Sequence, residues 1–457
     1  MSHAVMELPL DDLLQHSERL LSGDEFQQAG IHKVIGSSFL DWLAEGVTAK
    51  VLDKPSEQSA LDQSIKQRVG AFGSTAPPFA PHRSPQTPGR TLVAMSEFFP
   101  TETFSKRLAT VRDIAAQAGL DGVIATPGPD MEYLISSKIS THERFTALVL
   151  TNDATRIIVP GVDVADLKKS VAGKLGIEII GWNDGEDPYG YIAEGSYAVS
   201  AAMTADHLLE LQSRGISTVN ATQVLAQAFI RKDAEELSEL RRASAAIDEV
   251  HRQVPNLLRA GVTENDVAKE LERLILEEHE VVDFIIVGSG PHGADPHHDH
   301  SDRVIEDGDV VVVDIGGTLA SGYHSDCTRT YVVGEPTDEQ QQIYDVLQRA
   351  QEAGLEFAKP GVTAGEVDKV VRDIIDEAGY GEYYIHRTGH GIGLSCHEEP
   401  FIIAGNDFVI EEGMAFSIEP GIYIPGKWGA RIEDIVIVAS KNVEPINKTP
   451  HELVRVG

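Results

Sequence analysis

Residues 310–333 read VVVVDIGGTLASGYHSDCTRTYVV. Two β-branched apolar runs flank a short break containing Gly and Ser, the pattern of an antiparallel hairpin. The first run, Val310 to Val313, ends on Asp314, and after a turn at Ser321 and Gly322 the second begins with Asp326. Alternation with period two puts Asp326, Thr328 and Thr330 on one face and Cys327 and Arg329 on the other. Two carboxylates therefore meet on one sheet face, and Cys327 points away from them.

Around this hairpin, further apolar runs at Phe284 to Val287, Met414 to Ile418 and Ile432 to Val438 read as strands, with amphipathic helices near Glu339 to Phe357 and Ala364 to Ala378. A helix from Ala234 to Val254, interrupted by Pro255, opens this region. No period of 20–50 residues recurs, which argues against a solenoid. Upstream, from Thr101 to about Ile230, helical stretches such as Phe104 to Ala118 alternate with short strands at Gly122 to Ala125, Leu148 to Leu150, Arg156 to Val159 and Ile177 to Ile180. That alternation predicts an α/β layer domain. Before it, residues 73–90 carry five prolines and read as a linker following a small appended segment. A second reading starts the biological chain at Met95.

The whole chain has 457 residues, with 72 acidic against 38 basic side chains and a formal charge of −34. A length of this order allows about two to four domains. Such acidity repels phosphate backbones and excludes a general nucleic-acid binder. No apolar run reaches the roughly 20 residues that span a bilayer, and Met1 to Leu20 lacks the pattern of a secretory signal. Two cysteines give neither a disulfide framework nor a Cys-rich zinc module, so the expected setting is a reducing cytoplasm.

Beyond the hairpin lie His390 in TGHGIGLSCHEEP, Glu419 in SIEPGIY and Glu433 in RIED. Glycines at 389, 391 and 393 allow close backbone approach around His390. Each residue taken singly reads as a cap, a turn residue or a structural imidazole. Together they form an ordered set of acidic and imidazole groups at the ends of apolar runs. Carboxylates about 4 Å apart repel by roughly 4 kcal/mol per pair at an effective dielectric near 20, and divalent cations resolve that conflict.

The strings HHDHSDRVIEDGDVVVVDIGG, GYHSDCTRTYVVG, HRTGHGIGLSCHEEP, FSIEPGIYIPG and GARIEDIVIV resemble the metal-dependent pita-bread peptidases, particularly the Xaa-Pro dipeptidase (prolidase) and aminopeptidase P group. The resemblance covers roughly residues 95–457. It implies an α/β fold with a creatinase-like N-terminal domain over 95–230 and a pita-bread catalytic domain over 231–457. The latter would be α+β, with a mixed, mostly antiparallel sheet. Residues 1–94 are left unexplained as an N-terminal extension. The resemblance further implies that Asp314, Asp326, His390, Glu419 and Glu433 hold two divalent ions, with Asp326 and Glu433 bridging. Manganese is the first expectation, and cobalt, iron or zinc are alternatives. A metal-bridging hydroxide would attack the peptide bond preceding proline, with Glu419 passing the proton to the leaving nitrogen. His297 and His397 resemble the family's substrate-contacting histidines. Arg431 shares the strand face of Glu433 by period-two alternation, where it could hold a ligand carboxylate or orient a bridging one. Tyr423 and His386 lie within matched motifs, and His298 and His300 read as polar loop residues. Relatives are commonly homodimers.

One departure stands out: Asp314 and Asp326 are twelve positions apart, one more than the prolidase spacing, so a bulge or a longer turn must absorb a residue. Alternatives on the same scaffold are a lyase or amidohydrolase acting on a small zwitterion, such as the dimethylsulfoniopropionate lyases, or a non-catalytic binding protein. The lyase pattern calls for an acidic ligand two residues after Asp314, where this chain has Gly316. The intact ligand set argues against a silent protein.

Overall fold

The computed structural model describes residues 98–140 and 143–457. The expected extension, its Pro-rich linker and the alternative start at Met95 lie outside the described residues. Helix α1 (Thr101–Gln117) buries Phe104, Leu108, Val111 and Ala115 along one stripe. It packs on a six-stranded mixed sheet whose strands are β1 (Gly122–Ala125), β2 (Ala147–Thr151), β3 (Thr155–Pro160), β4 (Glu178–Trp182), β5 (Ser196–Val199) and β6 (Ser217–Asn220), in the order β4-β3-β2-β1-β5-β6.

From residue 234 onward the sheets are mostly antiparallel. Strands β7 (Val281–Ser289), β8 (Val310–Thr318) and β9 (His324–Val333) form a meander. Strands β10 (Gly389–Gly391), β11 (Glu398–Ile402), β12 (Ala415–Ile418), β15 (Asp434–Val438) and β16 (Val443–Pro445) form a second sheet, in the order β11-β10-β12-β15-β16. A separate ribbon pairs β13 (Gly421–Ile424) with β14 (Trp428–Arg431), and β17 (Val454–Val456) adds in parallel to β9. Four helices flank these strands: α2 (Ala234–His251), α3 (Glu264–Glu278), α4 (Asp338–Phe357) and α5 (Ala364–Glu377). Each begins with a reciprocal capping box, from Asp233, Thr263, Thr337 and Thr363 respectively.

The run of valines at 310–313 is continuous because both faces of the hairpin are covered. Val311, Val313, Ile315 and Cys327 pack with Ile247, Val250, Leu271 and Ile275 of α2 and α3. Each such buried aliphatic contributes about 1.5–3 kcal/mol relative to exposure. The opposite face carries Asp314 and Asp326. The β8–β9 register is unbroken from Val310↔Val332 to Thr318↔His324. The extra residue therefore sits in the turn between the strands and forms no bulge. In that turn Leu319 N–H donates to the Tyr323 carbonyl and Gly322 adopts φ 88°. Asp314 lies in the middle of β8, so the strand outruns the apolar run by five residues, and β9 starts at His324, ahead of Asp326. Pro255 does not break α2: it opens a separate short helix, Val254–Leu257, after α2 has ended.

A longer internal correspondence emerges in the structure. Residues 304–308 read VIEDG and 409–413 read VIEEG. Gly308 and Gly413 have φ 87° and 88° and donate to the carbonyls of Val333 and Val438. Val333 and Val438 in turn donate to the carbonyls of Asp309 and Met414. Upstream, GVTEN at 261–265 matches GVTAG at 361–365. Glu264 N–H donates to Arg303 and Asn265 N–H to Ser301, as Ala364 donates to Phe408 and Gly365 to Asn406. The catalytic region is therefore two like halves, in which Asp314 corresponds to Glu419 and Thr328 to Glu433.

The first sheet and these halves share one core, in which Tyr133 and Leu134 are buried in the same cluster as Tyr323, Ile392, Leu394 and Ile435. Charged contacts reinforce that junction. Glu236 accepts a 2.6 Å hydrogen bond from Tyr323 and faces Arg107, and buried Lys232 pairs with Glu398.

Candidate metal centre

Five side chains foreseen as ligands arrive from both halves. Asp314 comes from β8 and Asp326 from β9, His390 lies on β10, Glu419 follows β12, and Glu433 stands where the chain passes from β14 to β15. The glycines beside His390 are needed for packing. A Cβ on Gly389 would meet the Ser417 carbonyl at 1.9 Å, and one on Gly391 the Glu399 carbonyl at 2.2 Å. Ligand atoms of Asp326, His390 and Glu433 lie within 4.8 Å of one another. His390 Nε2 is 3.3 Å from Glu419 Oε1 and 3.7 Å from Asp326 Oδ2.

Burial, followed by the charges of Asp314 and Glu419, holds Asp326 well above the usual carboxylate range. Glu433 is raised likewise, first by burial and then by Asp326 and Glu419. Burial lifts Glu419 to about 7, although Arg431 pulls the other way. Burial also pushes His390 down to about 3, so the ring is neutral. His390 Nδ1 lies 3.1 Å from the Gly391 carbonyl and donates to it, which leaves the Nε2 lone pair facing carboxylate oxygens. Asp314 Oδ1 is buried without a hydrogen-bond partner among the described residues. Lone pairs aimed at lone pairs, and an orphaned carboxylate oxygen, are what a cation site looks like from its donors. The residues fit divalent metal ions.

Arg431 needs a correction. It ends β14, in the two-stranded ribbon, whereas Glu433 lies beyond the ribbon on the way into the other sheet, so no continuous strand links them. Its guanidinium nevertheless points to the side of Glu433, donating to the candidate ligand Asp314 at Oδ2 at 2.5 Å, to Thr328 Oγ1 at 3.0 Å and to the Tyr423 hydroxyl at 2.7 Å. Tyr423 lies 2.9 Å from His386 Nε2, and His386 Nδ1 donates to the Arg387 carbonyl at 2.7 Å. Tyr423 and His386, whose motif positions gave them no clear role, thus complete a chain bracing Arg431. Thr328 donates to Glu433 at 2.8 Å. Its place on the Asp326 face was legible from alternation, but its role was not.

His397 is exposed, with its ring 4.1 Å from that of His390, and one of its nitrogens falls within the 4.8 Å cluster of Asp326 and Cys396. Cys396, which the motif reading passed over, lies 3.5 Å from Asp326 Oδ2. Exposed His297 is on a loop whose Pro296 carbonyl accepts from Arg431 at 3.3 Å. His300 contacts Asn265 at 2.6 Å, and His298 contacts Glu264 at 3.0 Å, away from the five candidate ligands. Gly316 has no room for an acidic side chain, because its Cβ would meet the Phe284 ring at 2.5 Å.

Residues 238–440 match the model of metallopeptidase family M24, and residues 107–228 match the Creatinase/Prolidase N-terminal domain. A probable dipeptidase PepE of Mycobacterium tuberculosis is 52% identical over 370 residues, covering 79% of this chain and 99% of that protein. The chain belongs to metallopeptidase family M24. Within the family, an Xaa-Pro dipeptidase of Lactobacillus helveticus is 36% identical over 71% of this chain and 91% of its own length. Among solved structures, the dipeptidase PepE of Mycobacterium ulcerans superposes with a TM-score of 0.76 at 50% identity, covering 78% of this chain and 99% of that one. The prolidase of Thermococcus sibiricus gives 0.73 at 33% identity, covering 77% and 99%. As an M24 metallopeptidase the protein is a hydrolase that uses divalent metal, and its fold is the creatinase-like domain followed by the pita-bread domain. No helix among the described residues is long and apolar enough to cross a membrane.

Proposed function

We propose that this protein is an Xaa-Pro dipeptidase, hydrolysing the bond that precedes proline, with Asp314, Asp326, His390, Glu419 and Glu433 holding two divalent ions. The observation that carries the reading is the convergence of three carboxylates, Asp326, Glu419 and Glu433, on a neutral His390, with the charge of Asp314 felt by all three. When bound, such ions polarise the scissile carbonyl and activate a water nucleophile near neutral pH. Oxygen donors with one imidazole and no thiolate suit manganese first. Glu419, held by the Ser417 hydroxyl at 3.1 Å, accepts the proton of the attacking water and delivers it to the proline nitrogen. That nitrogen carries no N–H in the substrate, so it must gain a proton to leave. Arg431 holds Asp314 in orientation, and the Tyr423–His386 chain keeps Arg431 in place. His297 and His397, at the exposed rim, bind the substrate carboxylate and stabilise the developing oxyanion. The chain works as a homodimer in the cytoplasm.

The test is a panel of Xaa-Pro dipeptides and Xaa-Pro tripeptides offered to manganese- or cobalt-loaded protein. Dipeptides are expected to be cleaved with the higher kcat/KM. Silence across the panel would refute the reading, and a preference for tripeptides would replace dipeptidase with aminopeptidase.

A further inference from the structure

Glu264 and two histidines form a second cluster that shares no residue with the centre above. Glu264 opens α3 and is fully buried. Its Oε1 is reached by Ser289 N at 2.9 Å, Ser289 Oγ at 2.6 Å and His292 Nδ1 at 3.1 Å. Its Oε2 is reached by Ser301 Oγ at 2.6 Å, His298 Nε2 at 3.0 Å and the same His292 Nδ1 at 3.1 Å. A carboxylate offers about four lone-pair sites, and five polar groups converge here. Burial alone would raise Glu264, but the hydrogen bonds of Ser289, Ser301 and His298 hold it down at about 2, so it is an anion. The backbone geometry does not demand it. The corresponding residue of the other half, Ala364, makes the same main-chain contact with no polar side chain.

We propose that Glu264, His292 and His298 form a further metal site, which takes a zinc-class divalent cation and pins the loop presenting His297. The three ligand atoms lie within 4.8 Å of one another, and the two rings are 4.3 Å apart. Bonds of about 2.0–2.1 Å in a tetrahedron put ligand atoms roughly 3.3 Å apart, close to the contacts already present. Two imidazoles and a carboxylate are a borderline-soft donor set suited to zinc. Ser289 and Ser301 orient the carboxylate from behind, as supporting hydrogen bonds do in metal sites. The nearby cation, Arg303, pairs with Asp309 at 2.6 Å and donates to Ser289 Oγ at 2.6 Å, and it makes no direct contact with Glu264 that would take the place of a metal. Both imidazoles are partly exposed, which leaves a fourth position for water. His297 adjoins one ligand, and its other neighbour, Pro296, is tied to Arg431. Occupancy of the cluster therefore fixes the residue placed at the substrate rim.

Equilibrium dialysis of the full chain against zinc alone, with zinc per chain counted by atomic spectroscopy, tests this. Wild type is expected to hold one equivalent more than His292→Ala/His298→Ala. An Asp326→Ala/Glu433→Ala variant, disabled at the other centre, is expected to keep that equivalent, so the two assignments fail separately. His298→Gln retains an N–H donor for Glu264 but loses the imidazole, and it too is expected to lose the zinc while its circular dichroism stays native. Equal zinc content in wild type and both histidine variants would overturn the site and leave only a hydrogen-bonded cluster.

Discussion

The two halves of the catalytic region share a backbone and differ in what they place on it. VIEDG and VIEEG make the same turn, and the helices that begin at Glu264 and Ala364 are capped alike by Thr263 and Thr363. At the matched strand positions, one half presents Asp314 opposite Thr328, and the other presents Glu419 near Glu433. Behind the strands the halves diverge further. The second closes on itself with small residues, Gly365 lying so near Asn406 that a Cβ would meet its backbone at 2.9 Å. The first fills the equivalent space with Glu264 and its histidines. Each half supplies two carboxylates, Asp314 and Asp326 in one and Glu419 and Glu433 in the other, but only Asp314 and Glu419 stand at matched positions.

The largest expected effect comes from changing the matched carboxylates. Glu419→Gln should lower kcat by about 10²–10⁴, the range for a lost general base, and excess manganese should not restore it. Asp314→Asn should instead weaken metal binding, so that activity recovers as manganese is raised. Identical behaviour of the two variants under metal titration would erase the functional distinction between the halves.

Next come substitutions that exchange the helix starts. Ala364→Glu puts a charge into a fully buried site that lacks the Ser and His partners of Glu264, and should cost at least about 3 kcal/mol by denaturant unfolding. Glu264→Ala strands buried donors, including the Ser289 N–H, and should cost about 1–3 kcal/mol. A neutral Ala364→Glu would mean that the second half hides a polar niche like the first.

A smaller effect concerns pH. Glu419 titrates at about 7 in the folded, metal-free chain against an ordinary 4.5. Between these values the folded state holds a proton that the unfolded chain has released. The associated stability is fully present below the lower value and is lost as pH rises through the higher one. In chelator, Tm should fall between about pH 4.5 and about pH 7, and the rise in Tm on adding manganese should grow over the same interval. A manganese effect independent of pH would separate metal binding from these carboxylates. The smallest effect is a control on the likeness itself: Thr263→Ala and Thr363→Ala should each cost about 1 kcal/mol, with similar shifts in urea midpoint.

Much of this was legible because strand alternation is local. The hairpin at 310–333, the common face of Asp314, Asp326 and Thr328, and the placement of buried Cys327 on the opposite face follow from side chains alternating on a strand. Arg431 and Glu433 do not lie on one strand, because the chain changes sheets between them, yet both side chains still reach Thr328 Oγ1. The correspondence of the halves escaped a search for short periods, since its two copies lie far apart and share backbone turns more than side chains. Glu264 lies in no motif that would mark it in the sequence. Its burial depends on a loop nearly thirty residues later, and nothing local announces that.

The extra residue of the β8–β9 hairpin has its own consequence. A hairpin tip is usually where chain length can drift without penalty. Here the Lys138 ammonium donates to the Ala320 carbonyl at 3.1 Å, and a Cβ on Gly322 would strike the Glu132 carboxylate at 2.3 Å. The tip is a peg against the preceding domain. A residue added or removed at the tip has to be taken up at this contact with Lys138 and Glu132, whereas Asp314 and Asp326 stand on the paired part of the hairpin.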